Sequence, residues 1–424
     1  MGGRQDTNGG GRPRVLVLGG GFGGVGAAQK LRKSDVDVVL VDGHDYHTFQ
    51  PLLYQLATGL LEQPAVGHPL RDLFHDQDNI RVHQDRATEI DLEAREVRFA
   101  ELAPERYDYL VLALGAEVNF FGVEGAAEHA FPLYTLPDAV RLKDHVLERW
   151  EAADRNRALV EDGALNIVVV GGGPTGVETA GAMAELYNGV FREDYPDVKP
   201  EQARILLVEA SPKIFAMFEP ELRAYTEKAL VERGVEVTTG EVVAAVSPER
   251  VTLESGTVLS AHTLVWGAGL QGNALVRSLG LELVRGNRLA VDGELRLTQH
   301  PEVYAVGDIA AITDAKTDKV LPQLGSVALQ SGEHAGETIA RRVAGKETKP
   351  FKYKDKGTMA TIGRGAAVVQ MLGGKTMKGK KAQAAWGAVH LALLPTNEDR
   401  AKAVVDWAGA GLTHQRSGRI RVET

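Results

Sequence analysis

The chain has no cysteine among its 424 residues. Without thiols there is no disulfide, no thiolate metal site, no iron–sulfur cluster and no cysteine redox relay. It also lacks any apolar run of the roughly 20 residues needed to cross a bilayer. No export signal is recognisable, which predicts the cytoplasm. Positive charge is in deficit: a net charge of -9 argues against nucleic acid as the main partner. What remains is ordinary, with 44% apolar and 25% charged residues, and predicts two or three soluble domains with ample core. Residues 1–12, MGGRQDTNGGGR, are Gly-rich and polar and predict a disordered arm.

Against these absences stands a repetition. RVLVLGGGFGGVGAA at 14–28 and NIVVVGGGPTGVETA at 166–180 share one pattern. In each, a run of aliphatic residues leads into Gly-x-Gly-x-x-Gly and then into an alanine-rich helical stretch. The glycines are Gly19, Gly21 and Gly24 in the first loop, and Gly171, Gly173 and Gly176 in the second. The strand–turn–helix context makes the pattern specific. The first glycine allows the tight turn, the second lets backbone approach a pyrophosphate, and the third lets helix and strand pack closely. The pyrophosphate then sits at the helix N-terminus, where free N–H groups and the dipole favour an anion.

Each loop also has an acid at the end of a later strand. DVVLVD ends at Asp42 and RILLVE ends at Glu209, the latter after a longer connection. A lone strand-end acid is usually a solvated charge. One after each glycine loop predicts two carboxylates that take ribose hydroxyls. Two bound dinucleotides make chemical sense as FAD plus a nicotinamide, a hydride-transfer pair. Further strands run into glycine at Gly115, at Gly267–Gly269 and at Gly307-Asp308. The carboxyl ends of strands are where open α/β sheets bind ligands.

GGGFGG, YDYLVLALG, GGGPTGVE, WGAG and VYAVGD resemble, in that order, the flavoproteins with two dinucleotide-binding domains. The resemblance implies an α/β fold with two Rossmann-like domains, the second inserted in the first, and a C-terminal segment with amphipathic helices. It implies an FAD domain over 13–122 and 271–345, an NADH domain over 123–270, and a quinone- and membrane-facing segment over 346–424. It assigns FAD to Gly19, Gly21, Phe22, Gly23, Gly24, Asp42, Ala87, Ala113, Gly115, Gly307, Asp308 and Gln323. It assigns NADH to Gly171, Gly173, Pro174, Thr175, Gly176, Glu178, Glu209 and Gly269.

Where the disulfide reductases of this superfamily carry redox cysteines, residues 44–63 read HDYHTFQPLLYQLATGLLEQ. Thiol-dependent members are excluded, sulfide:quinone oxidoreductases among them. HTFQPLLYQLATG, YTLPDAVRLKDHVLERWE and YKDKGTMATIGRGAAV instead resemble the type II NADH dehydrogenases, single-subunit NADH:quinone oxidoreductases that do not pump protons. That family's pattern on the helix near 321–343 is Gln-x-Ala-x-x-Gln. Ala328 and Gln330 match its later part, but Ser326 takes the first glutamine's place. Ser326 and Gln330 share a helix face and are expected to meet a quinone carbonyl. The helix is expected to begin near Pro322-Gln323. Glu178 is expected near the nicotinamide, in a first helical turn where it also complements the dipole. Lys356 is a weaker candidate for the quinone pocket; most such lysines are solvated.

No metal site is indicated: the twelve histidines are scattered, and His44 and His47 lack a ligand set. His390 reads as a packing residue. The lysines at 375–381 with Trp386 and Trp407 predict peripheral attachment to an anionic membrane on its inner face. The competing arrangement packs these helices on the FAD domain or on a second subunit, so a homodimer stays open. The rival functions are a soluble diaphorase or reductase of a small redox protein, and a flavin-bearing sensor without turnover.

Overall fold

A computed structural model describes residues 11–413 and 416–421. Residues 1–10 of the arm expected at the N-terminus lie outside the described residues. The chain divides into two compact units. One comprises residues 1–47, 69–117 and 270–354; the other comprises 48–68, 118–269 and 355–424.

The first unit is built on a five-stranded parallel sheet. Its order is Val303–Ala305, Tyr109–Leu112, Arg14–Leu18, Asp37–Asp42 and Ile80–Gln84. Val15 to Leu18 are all at most 1% exposed. A strand covered on both faces has no polar alternation, which is why it reads as a continuous aliphatic run. The helix Phe22–Leu31 follows the first loop and packs on the long helix Gly325–Val343. Glycines make that contact unusually close. An added Cβ on Gly332 would collide with the Gly23 carbonyl, and one on Gly336 with the Ala27 carbonyl. The two backbones approach closely because Gly332 and Gly336 carry no side chains there.

The second unit repeats the plan. Phe131–Pro132, Thr263–Trp266, Ile167–Val170, Ile205–Glu209 and Val235–Thr239 form a parallel sheet in that order. The helix Leu136–Arg155 opens with a capping box between Thr135 and Asp138. Its Trp150 is fully buried against the rings of Tyr187 and Phe191. The helix Pro174–Glu185 runs into a π-helical turn, Leu186–Phe191. Its Gly181 abuts Ile362, since an added Cβ would strike the Ile362 carbonyl.

That neighbour lies in the first strand of the C-terminal sheet of Thr358–Gly363, Ala366–Gln370 and Thr376–Lys378. The helices Lys380–Leu393 and Asn397–Thr413 follow. The stretch expected as one segment over 346–424 is thus divided: residues through 354 belong to the first unit and the rest to the second. Residues 48–68, expected within the FAD domain, lie in the second unit.

Trp386 does not stand out towards a membrane. It is 4% exposed and stacked on His390, with the Trp407 ring 5.7 Å away. Among the described residues no helix is long and apolar enough to cross a membrane.

Candidate functional site

In the first loop the outer glycines are fixed from inside. Gly19 has φ +109°, and an added Cβ would collide with the Ala113 carbonyl; one on Gly24 would collide with Gly19. Gly21 differs, for an added Cβ there meets nothing within 4 Å. Internal packing therefore gives no reason for glycine at 21, whereas close approach of a pyrophosphate does. Asp42 accepts from the Gly20 N–H at 2.6 Å and from the His44 N–H at 2.7 Å. Burial alone would raise its pKa, but bonds from His44 and Gly20 outweigh this and hold it below the ordinary aspartate value.

His47, which has no ligand set, has a place that the sequence does not reveal. It is 3% exposed, its Nδ1–H donates to the Gly20 carbonyl at 2.9 Å, and its ring meets Phe22 edge-on at 5.0 Å. Gly20 is thus held at both ends, by Asp42 and by His47. No spacing rule would have found this bond.

The other FAD candidates fall in the same unit. The Ala113 N–H donates to the Leu18 carbonyl at 2.8 Å. Gly115 and Gly307 have φ +68° and +69°, which favours glycine. The Gly307 N–H donates to Ser331 Oγ at 3.1 Å, and Gln323 Nε2 donates to the Asp308 carbonyl at 3.0 Å. Ala87 opens the strand Ala87–Asp91. Gly19, Ala113 and Gly307 follow the carboxyl ends of adjacent parallel strands. With the open flank at Gly21 and the ionised Asp42, these residues fit the pyrophosphate and ribose of FAD.

The second loop repeats the geometry. Glu209 accepts from the Gly172 N–H at 2.5 Å and from the Ser211 N–H at 2.7 Å. Gly171 has φ +107°, an added Cβ on Gly176 would strike the Gly171 carbonyl, and one on Gly173 meets nothing within 4 Å. Pro174 occupies the start of the helix, where its missing N–H costs nothing. The Thr175 carbonyl accepts from Thr179 Oγ1 at 2.6 Å. Gly269 has φ +69°, with Phe121 and Asn119 pressed against it.

Glu178 corrects one expectation. The first turn of its helix holds no acid. Glu178 lies in the second turn, 9% exposed, and accepts from the Thr361 N–H at 3.1 Å. Burial pushes its carboxyl up to about 8, against the opposing pull of that bond. It lines a cavity of about 890 Å³ with Tyr54, Gln55, Thr361, Trp386, Leu391 and Trp407. At the cavity's edge Arg416 is 7% exposed and donates to the Thr58 carbonyl at 2.9 Å. Tyr54, Gln55 and Arg416 were not singled out from the sequence. The quoted motif HTFQPLLYQLATG contains the first two, and nothing in the sequence points to Arg416.

Ser326 and Gln330 have partners of their own in the first unit. Ser326 Oγ and Tyr353 Oη lie 2.9 Å apart. Gln330 donates to the Lys354 carbonyl at 3.1 Å and accepts from the Lys354 N–H at 3.0 Å. Their helix starts at Gly325, two residues later than expected. Lys356 is exposed on the stretch before Thr358–Gly363. Asp162, Glu249 and His262 bring one ligand atom each within 4.8 Å of one another, a surface grouping not foreseen from the sequence. His390 packs on Trp386, and burial pushes its pKa down to about 4.

Two parallel-sheet folds, each with a glycine loop bonded to its own strand-end carboxylate, define an oxidoreductase of paired dinucleotides. Comparison with known proteins agrees. The family described as pyridine nucleotide-disulphide oxidoreductase matches residues 13–332. The type II NADH:quinone oxidoreductase Ndh of Mycobacterium tuberculosis is 33% identical, over 96% of this chain and 89% of its own. The type II NADH:quinone oxidoreductase of Staphylococcus aureus is 30% identical, over 88% of this chain and 92% of its own. The structure of NDH2 from Plasmodium falciparum in complex with NADH superposes with a TM-score of 0.89. It covers 97% of this chain and all of that one at 20% identity. The chain belongs to the type II NADH:quinone oxidoreductases.

Proposed function

We propose that this chain oxidises NADH and reduces a quinone, with FAD as its resident cofactor and without pumping protons. The observation that carries the reading is Glu178: a carboxyl kept protonated up to about pH 8 on the wall of an apolar cavity large enough for a quinone ring.

When bound, flavin supplies the two-electron chemistry that links a hydride donor to a quinone. The protein's residues do the rest. The open flank of Gly21 and the carboxylate of Asp42 hold FAD. Gly173 and Glu209 hold NADH, and Glu209 repels the 2′-phosphate of NADPH. Glu178 holds a proton that it gives to a quinone oxygen as that oxygen gains negative charge. Ser326 and Gln330, engaged by Tyr353 and Lys354, brace the segment after the long helix. The concave, largely apolar lining favours a small acceptor over a redox protein.

The decisive experiment is anaerobic. NADH should bleach the yellow protein, and a water-soluble quinone should restore its colour. Bleaching without reoxidation would leave a diaphorase with another acceptor.

The enzyme acts at a membrane surface on its inner face, attached peripherally. Support comes from Val389, Leu393, Val404 and Val405, which are 39% to 68% exposed on the two C-terminal helices. The protein should sediment with anionic liposomes at low salt and be released by high salt. Failure to sediment at low salt would overturn the attachment.

A further inference from the structure

The cavity wall carries a hydrogen-bond chain whose direction is fixed. Trp407 Nε1 lies 2.7 Å from Gln55 Oε1, and Gln55 Nε2 lies 2.8 Å from Tyr54 Oη. An indole N–H can only donate. The atom of Gln55 that faces Trp407 must therefore be its carbonyl oxygen, which settles the side-chain amide orientation on chemical grounds. The other end of that amide is then NH2, which also can only donate. So the Tyr54 oxygen accepts, and its own hydrogen must point elsewhere. Among the described residues no acceptor bonds it. Tyr54 is 5% exposed, Gln55 is 4% exposed, and both line the cavity with Glu178.

We infer that Tyr54 donates its hydroxyl hydrogen to a carbonyl oxygen of the quinone bound in this cavity, and that Gln55 and Trp407 are positioning residues that aim it there. The inference rests on the quinone reading above. A quinone carbonyl is an acceptor with no hydrogen of its own, so a hydroxyl hydrogen that meets no acceptor among the described residues suits it. Burial, reinforced by the nearby Glu178, holds the phenol in its protonated form, so the donor persists across the working pH range. Tyr54 sits on the short helix Leu53–Ala57, while Trp407 sits on Asn397–Thr413. The last long helix thereby sets the polarity of a group some 350 residues earlier in the chain.

The test compares acceptors in the whole FAD-loaded enzyme. A water-soluble quinone needs the hydrogen bond; ferricyanide, a one-electron acceptor without a carbonyl, does not. Tyr54→Phe should lower kcat/KM for the quinone about tenfold, the size of one lost hydrogen bond in a dry site. Ferricyanide reduction and the anaerobic NADH half-reaction should change by less than about twofold. Trp407→Phe keeps an aromatic, though smaller, ring and removes the N–H, freeing the Gln55 amide to turn; it should lower quinone kcat/KM about threefold. The double variant should be no worse than Tyr54→Phe alone, because Trp407 acts through Tyr54.

Additive losses would overturn the inference and leave Trp407 a packing residue. An unchanged Tyr54→Phe would overturn it while the quinone reading stands. A wild type that ferricyanide reoxidises and quinone does not would remove both. If Tyr54→Phe fails to retain flavin, Trp407→Phe decides alone: a loss confined to quinone supports the inference, and no loss overturns it.

Discussion

The two glycine loops are near copies down to their carboxylate bonds, yet the helices that follow them serve opposite ends. Gly26 in the first stands where Glu178 stands in the second. An added Cβ on Gly26 would come within 2.9 Å of the Leu329 carbonyl, because that face is pressed against the helix Gly325–Val343. Glu178 instead projects a full side chain into a cavity and is held by the Thr361 N–H. The same backbone frame yields a sealed helix pair in one unit and a buried acid in the other. A repeated binding motif thus fixes where a dinucleotide goes; what the protein does next depends on the helix face one turn further on.

The sharpest way to break the comparison is at the third glycine. Gly24→Val and Gly176→Val should each destabilise the protein by about 3 kcal/mol or more, since the backbone carbonyl in contact cannot move aside. Thermal unfolding would show it, and a stable variant of either kind would refute the shared frame.

The middle glycine should part folding from binding. An added Cβ at Gly21 meets no protein atom within 4 Å, so Gly21→Val should fold normally while FAD affinity drops by about a hundredfold or more, read from retained flavin absorbance. A variant that holds FAD at wild-type affinity would remove the pyrophosphate from this loop.

Glu178→Gln tests the position at which the helices diverge. Quinone reduction should fall by about a hundredfold, as expected for loss of a general acid. In the wild type, Glu178 is protonated below about pH 8, so quinone turnover should decline as pH rises through that value. The variant should lack this limb, while NADH reduction of the flavin keeps its own profile. Stability follows the same sign. Between the ordinary carboxyl pKa and about 8, the folded chain holds a proton that the unfolded chain has released. Raising the pH across that window should therefore cost stability, and Glu178→Gln should flatten the trend.

The smallest effect concerns cofactor choice. Glu209 spends both oxygens on backbone N–H groups, and glutamine can serve only one. Glu209→Gln should narrow the preference for NADH over NADPH about tenfold, measured as a ratio of kcat/KM values. Equal wild-type efficiency with both would undo the assignment.

Much of this was legible because it is local. The strand–glycine–helix runs, Asp42 and Glu209 lie within short stretches whose chemistry is set by backbone geometry. The fate of residues 48–68 was not, because their partners are far away: Gln55 meets Trp407, and Thr58 meets Arg416. Tryptophans beside lysines suggested a membrane interface, but Trp386 is drawn inward against His390. Gln330 was read by its motif as a substrate contact, while its amide bonds the Lys354 backbone from both sides. A side chain's type limits what it can bond; only tertiary placement decides which partner it finds.

The ties near the C-terminus also set a timetable for the nascent chain. The first unit's central sheet needs nothing beyond Val303–Ala305, and its covering helix ends at Val343. The second unit waits longer. Arg416 fastens Thr58, and Lys143 Nζ donates to the Ile420 carbonyl at 2.8 Å. Neither bond can form before residues 416 to 420 have been made, and each then closes a long loop. On the ribosome, the unit assigned to FAD is whole before the cavity assigned to the acceptor exists. The growing protein is thus complete for its cofactor before it is competent for turnover.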